Sequence, residues 1–315
     1  MKKRVLIPII VFGSICALAA IDMGVSAIVY KVYSDEKTYD FSDKEIKNFS
    51  FDLSISNVEF FKSEGSTKKV VCKETTKRPH SVTLENGTLK VEYPNKKNFF
   101  HFVSMWSPQF KVSVYVPATT YDSFTSKLST GDVIIPAGFT FSNLEHTGST
   151  GSFTFSSNVT NSCNITISTG DVSLSDTETK NLNANASTGH VYLSNVKVVE
   201  EAKVTTSTGR IKLNKIKSNS LDVTASTGTV SLNESLINKH AKIHTTTGDI
   251  KINESDAETL DLKASTGDIT AVFLSSKTVN VDTSTGRVRI SGSGNGGLCT
   301  VKTSTGDITI SVKIK

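Results

Sequence analysis

A Ser/Thr-Thr-Gly tripeptide recurs ten times between Ser129 and Gly306, with its glycines at Gly131, Gly151, Gly170, Gly189, Gly209, Gly228, Gly248, Gly267, Gly286 and Gly306. Successive glycines are always 19 or 20 residues apart. A period held that tightly is the mark of a solenoid, in which each repeat is one coil that cannot bury its own apolar face and must stack on its neighbours. Aligning the repeats on the glycine exposes the coil. The residue seven before it is apolar throughout: Phe124, Leu144, Cys163, Leu182, Ala202, Leu221, Ala241, Leu260, Val279 and Cys299. Two after it stand Val133, Phe153, Val172, Val191, Ile211, Val230, Ile250, Ile269, Val288 and Ile308, and four after it a further apolar column from Ile135 to Ile310. Alternation of period two on both sides of the glycine predicts two short strands per coil, with one face inward and one outward.

Coils stacked at the strand spacing of about 4.8 Å give parallel sheets and a rod roughly 45 Å long. The expected fold is therefore all-β, a parallel β-helix, right-handed by the general preference of parallel crossovers. Glycine in the turn supplies positive φ, and the invariant Thr before it suggests a hydroxyl ladder along one corner. The one-residue differences in period are absorbed after the second strand, where the columns lose alignment.

The N-terminus sets the compartment. Lys2, Lys3 and Arg4 precede an apolar run from Val5 to Tyr30 broken only by Asp22. Residues 1–30 read as an uncleaved transmembrane anchor, with Ala17-Leu18-Ala19 supporting the alternative of a cleaved signal peptide and a secreted chain. The positive-inside rule places the remainder outside the cytoplasm in either case. Ile15 stands where a lipobox before Cys16 would need a small residue. Residues 31–50 are expected to form a polar stalk, 51–118 an N-terminal β region that caps the solenoid, and 119–315 the solenoid itself. Within the cap, Asn86-Gly87 between Val82, Leu84, Leu89 and Val91 predicts a hairpin. Ser56-Asn57-Val58 reads as a degenerate version of the later turn, with Asn tolerating positive φ.

Several function classes lose support. A net charge of +5, dispersed as single lysines, does not make a nucleic-acid surface. Cys16, Cys72, Cys163 and Cys299 form no disulfide framework or zinc spacing and read as small core residues, so neither metal nor cofactor is expected. Asp follows the turn glycine in only five coils, with Arg210, Arg287, His190, Thr229 and Ser152 in the others; calcium, which wants six or more oxygens, is poorly served. Asp249 and Asp268 fall in successive coils about 5 Å apart, which would suit a retaining glycosidase pair, but the column reads better as a charge ladder between stacked strands. No catalytic residue is assigned.

Ser56 to Phe60, Gly87 to Val91, Val112 to Pro117 and the Ser-Thr-Gly-Asp-Val units that follow resemble a bacterial adhesin-type family, Domain of Unknown Function 4097, over about residues 50–315. The resemblance implies a β-solenoid outside a bacterial cell, often behind a membrane anchor, with no established enzyme activity. The expected function is a non-enzymatic surface module that binds a glycan, an envelope component or a cell-surface ligand. A carbohydrate-active β-helix enzyme and an envelope-stress sensor are the alternatives. One stretch departs from the repeat: Lys96 and Lys97 followed by Phe99, Phe100, Phe102 and Trp106, which reads either as a lid over the end of the solenoid or as a contact with a membrane surface or ligand.

Overall fold

The structure, a computed structural model, describes residues 34–75, 79–93, 110–292 and 294–313. Among these every regular element is a strand, and no helix is long and apolar enough to cross a membrane. The proposed anchor at 1–30 and the aromatic stretch at 96–106 both lie outside the described residues. The strands join a single sheet system that winds through about ten solenoid turns.

A typical coil shows how sequence makes the layer. Strand Lys217–Thr227 runs into Gly228, and Val230–Asn233 leaves it. Each pairs in parallel and in register with its counterparts in the coils on either side, so that Leu221 meets Ala202 and Ala241, and Val230 meets Ile211 and Ile250. The inward columns are buried: Leu221, Val223, Val230 and Leu232 are all at most 2% exposed. Six residues after the glycine a second corner appears that the repeat did not advertise. Asp176, Asn195, Lys215, Glu234 and Glu254 adopt φ of 46° to 55° there. Register shifts such as that between Ser218 and Ser220 follow this corner, and these bulges take up the 19-versus-20 variation.

The order of layers departs from the order of the chain at both ends. Strand Ile250–Thr266 pairs along Leu260–Thr266 with Gly297–Thr305, and it is Gly297–Thr305 that pairs with Lys277–Thr285. The Gly306 coil is thus inserted between the Gly267 and Gly286 coils, and among the described residues the Gly286 coil stands at the end of the stack. Layer order here is therefore not chain order. The insertion is permitted by Gly296 and Gly297, since a Cβ on Gly296 would lie 1.7 Å from the Ser276 carbonyl oxygen and one on Gly297 1.9 Å from that of Glu258.

At the other end, Asn48–Ile55 lies between Thr120–Thr130 and Thr88–Glu92, and Asn57–Lys62 between Val133–Ile135 and Lys111–Val116. Residues read as a polar stalk contribute to this arrangement instead. Asn48–Ile55 is the first solenoid strand, with Phe49, Phe51 and Leu53 buried, and Ser34–Asp40 pairs antiparallel with Lys69–Thr75. Charge along 31–50 suggested solvation; the alternation of Phe49, Phe51 and Leu53 prevails because it completes the apolar face of a layer. Lys69–Thr75 in turn pairs antiparallel with Lys111–Val116, and Ser81–Glu85 forms with Thr88–Glu92 the hairpin at Asn86-Gly87.

The core changes character along the stack. Phe49, Phe51, Phe60, Phe124, Phe139, Phe141, Phe153 and Phe155 are fully buried and meet largely edge to face, as in the Phe49–Phe60 pair at 5.0 Å and 75°. Beyond Phe155 the buried aromatic side chains give way to Val, Ile, Leu and Ala, with Phe273 as an exception.

Candidate functional site

The glycine corner shows what the repeat is for. All ten turn glycines have φ between +132° and +154°. Each also sits so close to the preceding layer that a Cβ would lie 1.7–2.2 Å from a carbonyl oxygen, so the requirement is both conformational and steric. Ser56 aligns with Gly131, and Asn57 with Asp132, but neither has positive φ. The expectation of an Asn in the glycine role is corrected: the layer beneath Ser56 carries no Ser-Thr-Gly turn, so no repeat carbonyl presses on its Cβ.

The ladder at this corner runs through the side chain that follows the glycine. Asn57 Oδ1 accepts the Asp132 amide at 2.9 Å, Asp132 that of Ser152 at 2.7 Å, Asp171 that of His190 at 2.8 Å, and His190 Nδ1 that of Arg210 at 2.8 Å. The series resumes with Asp249 accepting from Asp268 at 3.1 Å, Asp268 from Asp307 at 2.8 Å and Asp307 from Arg287 at 2.8 Å. It follows the spatial order of layers, not the chain order. Asp249 and Asp268, the pair weighed for glycoside chemistry, each give an oxygen to a backbone amide of the adjoining layer. The column needs an acceptor rather than a charge, which is why Asn, Asp and His all serve.

A second cluster lies under the N-terminal cap, and sequence spacing gave no sign of it. Cys72 and Glu74, two apart on strand Lys69–Thr75, share its inward face, and His80 packs against them. Cys72, Glu74, His80 and Ser56 are all at most 5% exposed. Glu74 Oε2 accepts the His80 backbone amide at 2.7 Å and lies 3.0 Å from His80 Nδ1, while His80 Nε2 is 2.9 Å from Ser56 Oγ. The imidazole stacks on Tyr93 at 4.7 Å, and Tyr39 donates its hydroxyl to the His80 carbonyl. Burial pushes the His80 pKa down against the pull of Glu74, and pushes the Cys72 thiol up to about 12. Tyr93 and Phe110, whose rings are 6.5 Å apart, bracket the interval that contains Lys96, Lys97, Phe99, Phe100, Phe102 and Trp106. The residues of that interval lie outside those described.

A third feature lies beside the inserted coil, on the strand Lys277–Thr285. Lys277 is buried, with its ammonium 2.5 Å from Asp256 Oδ1, 2.7 Å from the Ala257 carbonyl and 3.0 Å from Ser275 Oγ. These groups line an open groove of about 470 Å³ together with Leu236, Ile237 and Gly297. Complete pairing of the ammonium makes this a structural clamp at the chain crossing.

The sequence matches the family model described as Toastrack DUF4097 over residues 46–253 and 236–315. No curated protein matches it. Among solved structures, one described as a "putative adhesin" from Bacteroides fragilis is 13% identical, covers 89% of this chain and 97% of its own, and gives a TM-score of 0.42. Another, described as a "putative lipid binding protein" from Parabacteroides distasonis, is 15% identical with coverage of 90% and 97% and a TM-score of 0.45.

Proposed function

Because the chain belongs to the Toastrack DUF4097 family, we propose that it is a non-enzymatic surface module: a rigid β-solenoid, tethered through residues 1–30, that presents a polar face to glycan or envelope ligands outside the cytoplasm. The observation that supports this reading is an outward face rich in hydroxyl and amide donors and acceptors held in register. Thr147, Thr166, Asn185, Thr205 and Thr224 are direct neighbours in consecutive layers, and Glu145, Asn164 and Asn183 run parallel to them. Hydroxyls and amides repeated at about 4.8 Å on a backbone that cannot relax suit the hydroxyl-rich surface of a saccharide, because little ordering entropy is lost on binding. The tether rests on Lys2, Lys3, Arg4 and the apolar run behind them.

A glycan array probed with the full chain, followed by calorimetry and product analysis on any sugar retained, tests the proposal. Binding without product, weakened by Asn164→Ala with Asn183→Ala, is the expected outcome. Release of reducing ends would instead establish a carbohydrate-active enzyme. Absence of binding to any saccharide together with retention on isolated envelope would move the ligand to an envelope protein or lipid.

A further inference from the structure

We propose that Cys72, Glu74 and His80 form a binding site for a divalent transition-metal ion of the zinc class. One ligand atom from each of the three lies within 4.8 Å of the other two. A tetrahedral zinc ion holds sulfur, nitrogen and oxygen donors about 3.3–3.7 Å apart, so the widest pair must close by about 1 Å. That is within the reach of side-chain rotation. The donor set selects the ion: one thiolate, one imidazole and one carboxylate suit zinc or cobalt, whereas calcium and magnesium want oxygens alone.

The surroundings are those of a ligand set, not of ordinary core. A carboxylate and a thiol, both buried, face a single imidazole that is itself buried. Lys37, opposite Cys72 in the strand register, is exposed. A divalent ion would neutralise the carboxylate and stabilise the thiolate, releasing the thiol proton as it binds. The imidazole is already oriented for this. Nδ1, which faces the Glu74 carboxylate and gives its hydrogen there without an ion, would turn to the metal on binding; Nε2 would then carry the hydrogen and donate it to Ser56 Oγ, the outer-sphere contact that fixes the tautomer of metal-bound histidines. Stacking on Tyr93 and the Tyr39 hydroxyl hold the ring and its backbone in place. Three protein donors leave a fourth position for water or a further ligand. The ion would join strand Lys69–Thr75 to the segment entering the hairpin, and so lock the cap.

The test uses the full chain carrying no histidine tag, stripped with chelator and titrated with Zn²⁺ and Co²⁺. The expected result is uptake of a single equivalent with proton release, a higher Tm, and a thiolate-to-cobalt charge-transfer band with Co²⁺. Cys72→Ser and His80→Gln should each weaken uptake at least tenfold with an unchanged far-ultraviolet spectrum. Should either variant fail to fold, the cobalt band of a Cys16→Ser chain decides, because Cys163 and Cys299, the other remaining thiols, are buried in the solenoid core away from the cap. Folded protein that takes up no equivalent, uptake without a thiolate band, or uptake unaltered in both variants would overturn the assignment.

Discussion

At the N-terminal end of the stack, antiparallel strands cover the last parallel layer, and the outermost of them, Ser34–Asp40, carries Glu36, Lys37 and Asp40. At the C-terminal end nothing among the described residues covers the Gly286 coil. The contrast can be read within single columns. Two residues after the glycine, Val230 is fully buried while Val288 is 43% exposed; four after it, Leu232 is 1% exposed and Ile290 38%. Identical positions in the repeat therefore experience opposite environments, and the difference is made by the layer above and not by the sequence of the coil. A charged antiparallel edge ends a sheet safely, whereas an open edge with half-exposed apolar side chains remains competent to pair.

The layer order can be broken outright by crosslinking. Thr266 and Thr305 are register partners, about 4.8 Å apart and within disulfide range, whereas Thr266 and Thr285 are two layers apart. Oxidation should therefore close a bond in Thr266→Cys/Thr305→Cys and not in Thr266→Cys/Thr285→Cys, as read by non-reducing electrophoresis. The opposite pattern would restore sequential stacking.

Next in size is a matched pair of carboxylates. Val230→Asp buries an unpaired charge and should destabilise by about 4 kcal/mol or more in urea unfolding, while Val288→Asp should change stability by less than about 1 kcal/mol. Equal losses would mean that the C-terminal end is covered after all. Gly228→Ala should follow, at about 3 kcal/mol, because its φ is +143° and the new methyl would meet the Gly209 carbonyl oxygen at 1.7 Å. Ser56→Ala, at the same corner position without that carbonyl beneath it, should lose only about 1 kcal/mol through its bond to His80.

Acid should distinguish the aromatic end from the aliphatic one. His146 is an inward residue, stacked on Phe153 at 4.7 Å and 2.7 Å from Ser126 Oγ, and burial lowers its pKa to about 4. The unfolded chain takes up a proton near pH 6.5 that the folded chain refuses until about pH 4, so stability falls as pH drops through that window and levels off below it. The loss is on the order of 3 kcal/mol. His146→Gln should remove that share of the difference between urea midpoints at pH 7 and pH 4.5; an unaltered difference would place the sensitivity elsewhere. The smallest effect belongs to the ladder: Asp268→Asn keeps the acceptor for the Asp307 amide and should be silent within about 0.5 kcal/mol, while Asp268→Ala should lose about 1 kcal/mol. If Asn and Ala were equally damaging, charge rather than acceptance would be the column's contribution.

The repeat was legible because glycine spacing and apolar alternation are local, and the columns from Phe124 to Cys299 could be read directly. Layer order was not, because every coil offers the same edge and nothing in the Gly286 or Gly306 tripeptide says which binds Gly267. The available signal was the run Ser-Gly-Ser-Gly-Asn-Gly-Gly at 291–297, whose last two glycines pass where side chains would strike neighbouring carbonyls. The Cys72–Glu74–His80 cluster escaped for a related reason. Its members are brought together by a fold-back in the cap, and only Cys72 and Glu74 share a pattern that strand periodicity can reveal.

Insertion of the last coil has a consequence for synthesis. A chain that emerges from its N-terminus completes the Gly286 coil before residues 297–312 exist, and the Gly267 edge it would then meet is as good a template as any other. Growth by simple accretion would leave the final segment outside. The native arrangement requires that the Gly286 coil wait, or let go, until the segment behind it can slip into place. The expected outcome is that a ribosome-stalled chain halted at residue 292 is far more protease-sensitive from about residue 277 onward than one that extends through residue 312, and equal resistance would show that the Gly286 coil docks without the inserted strand.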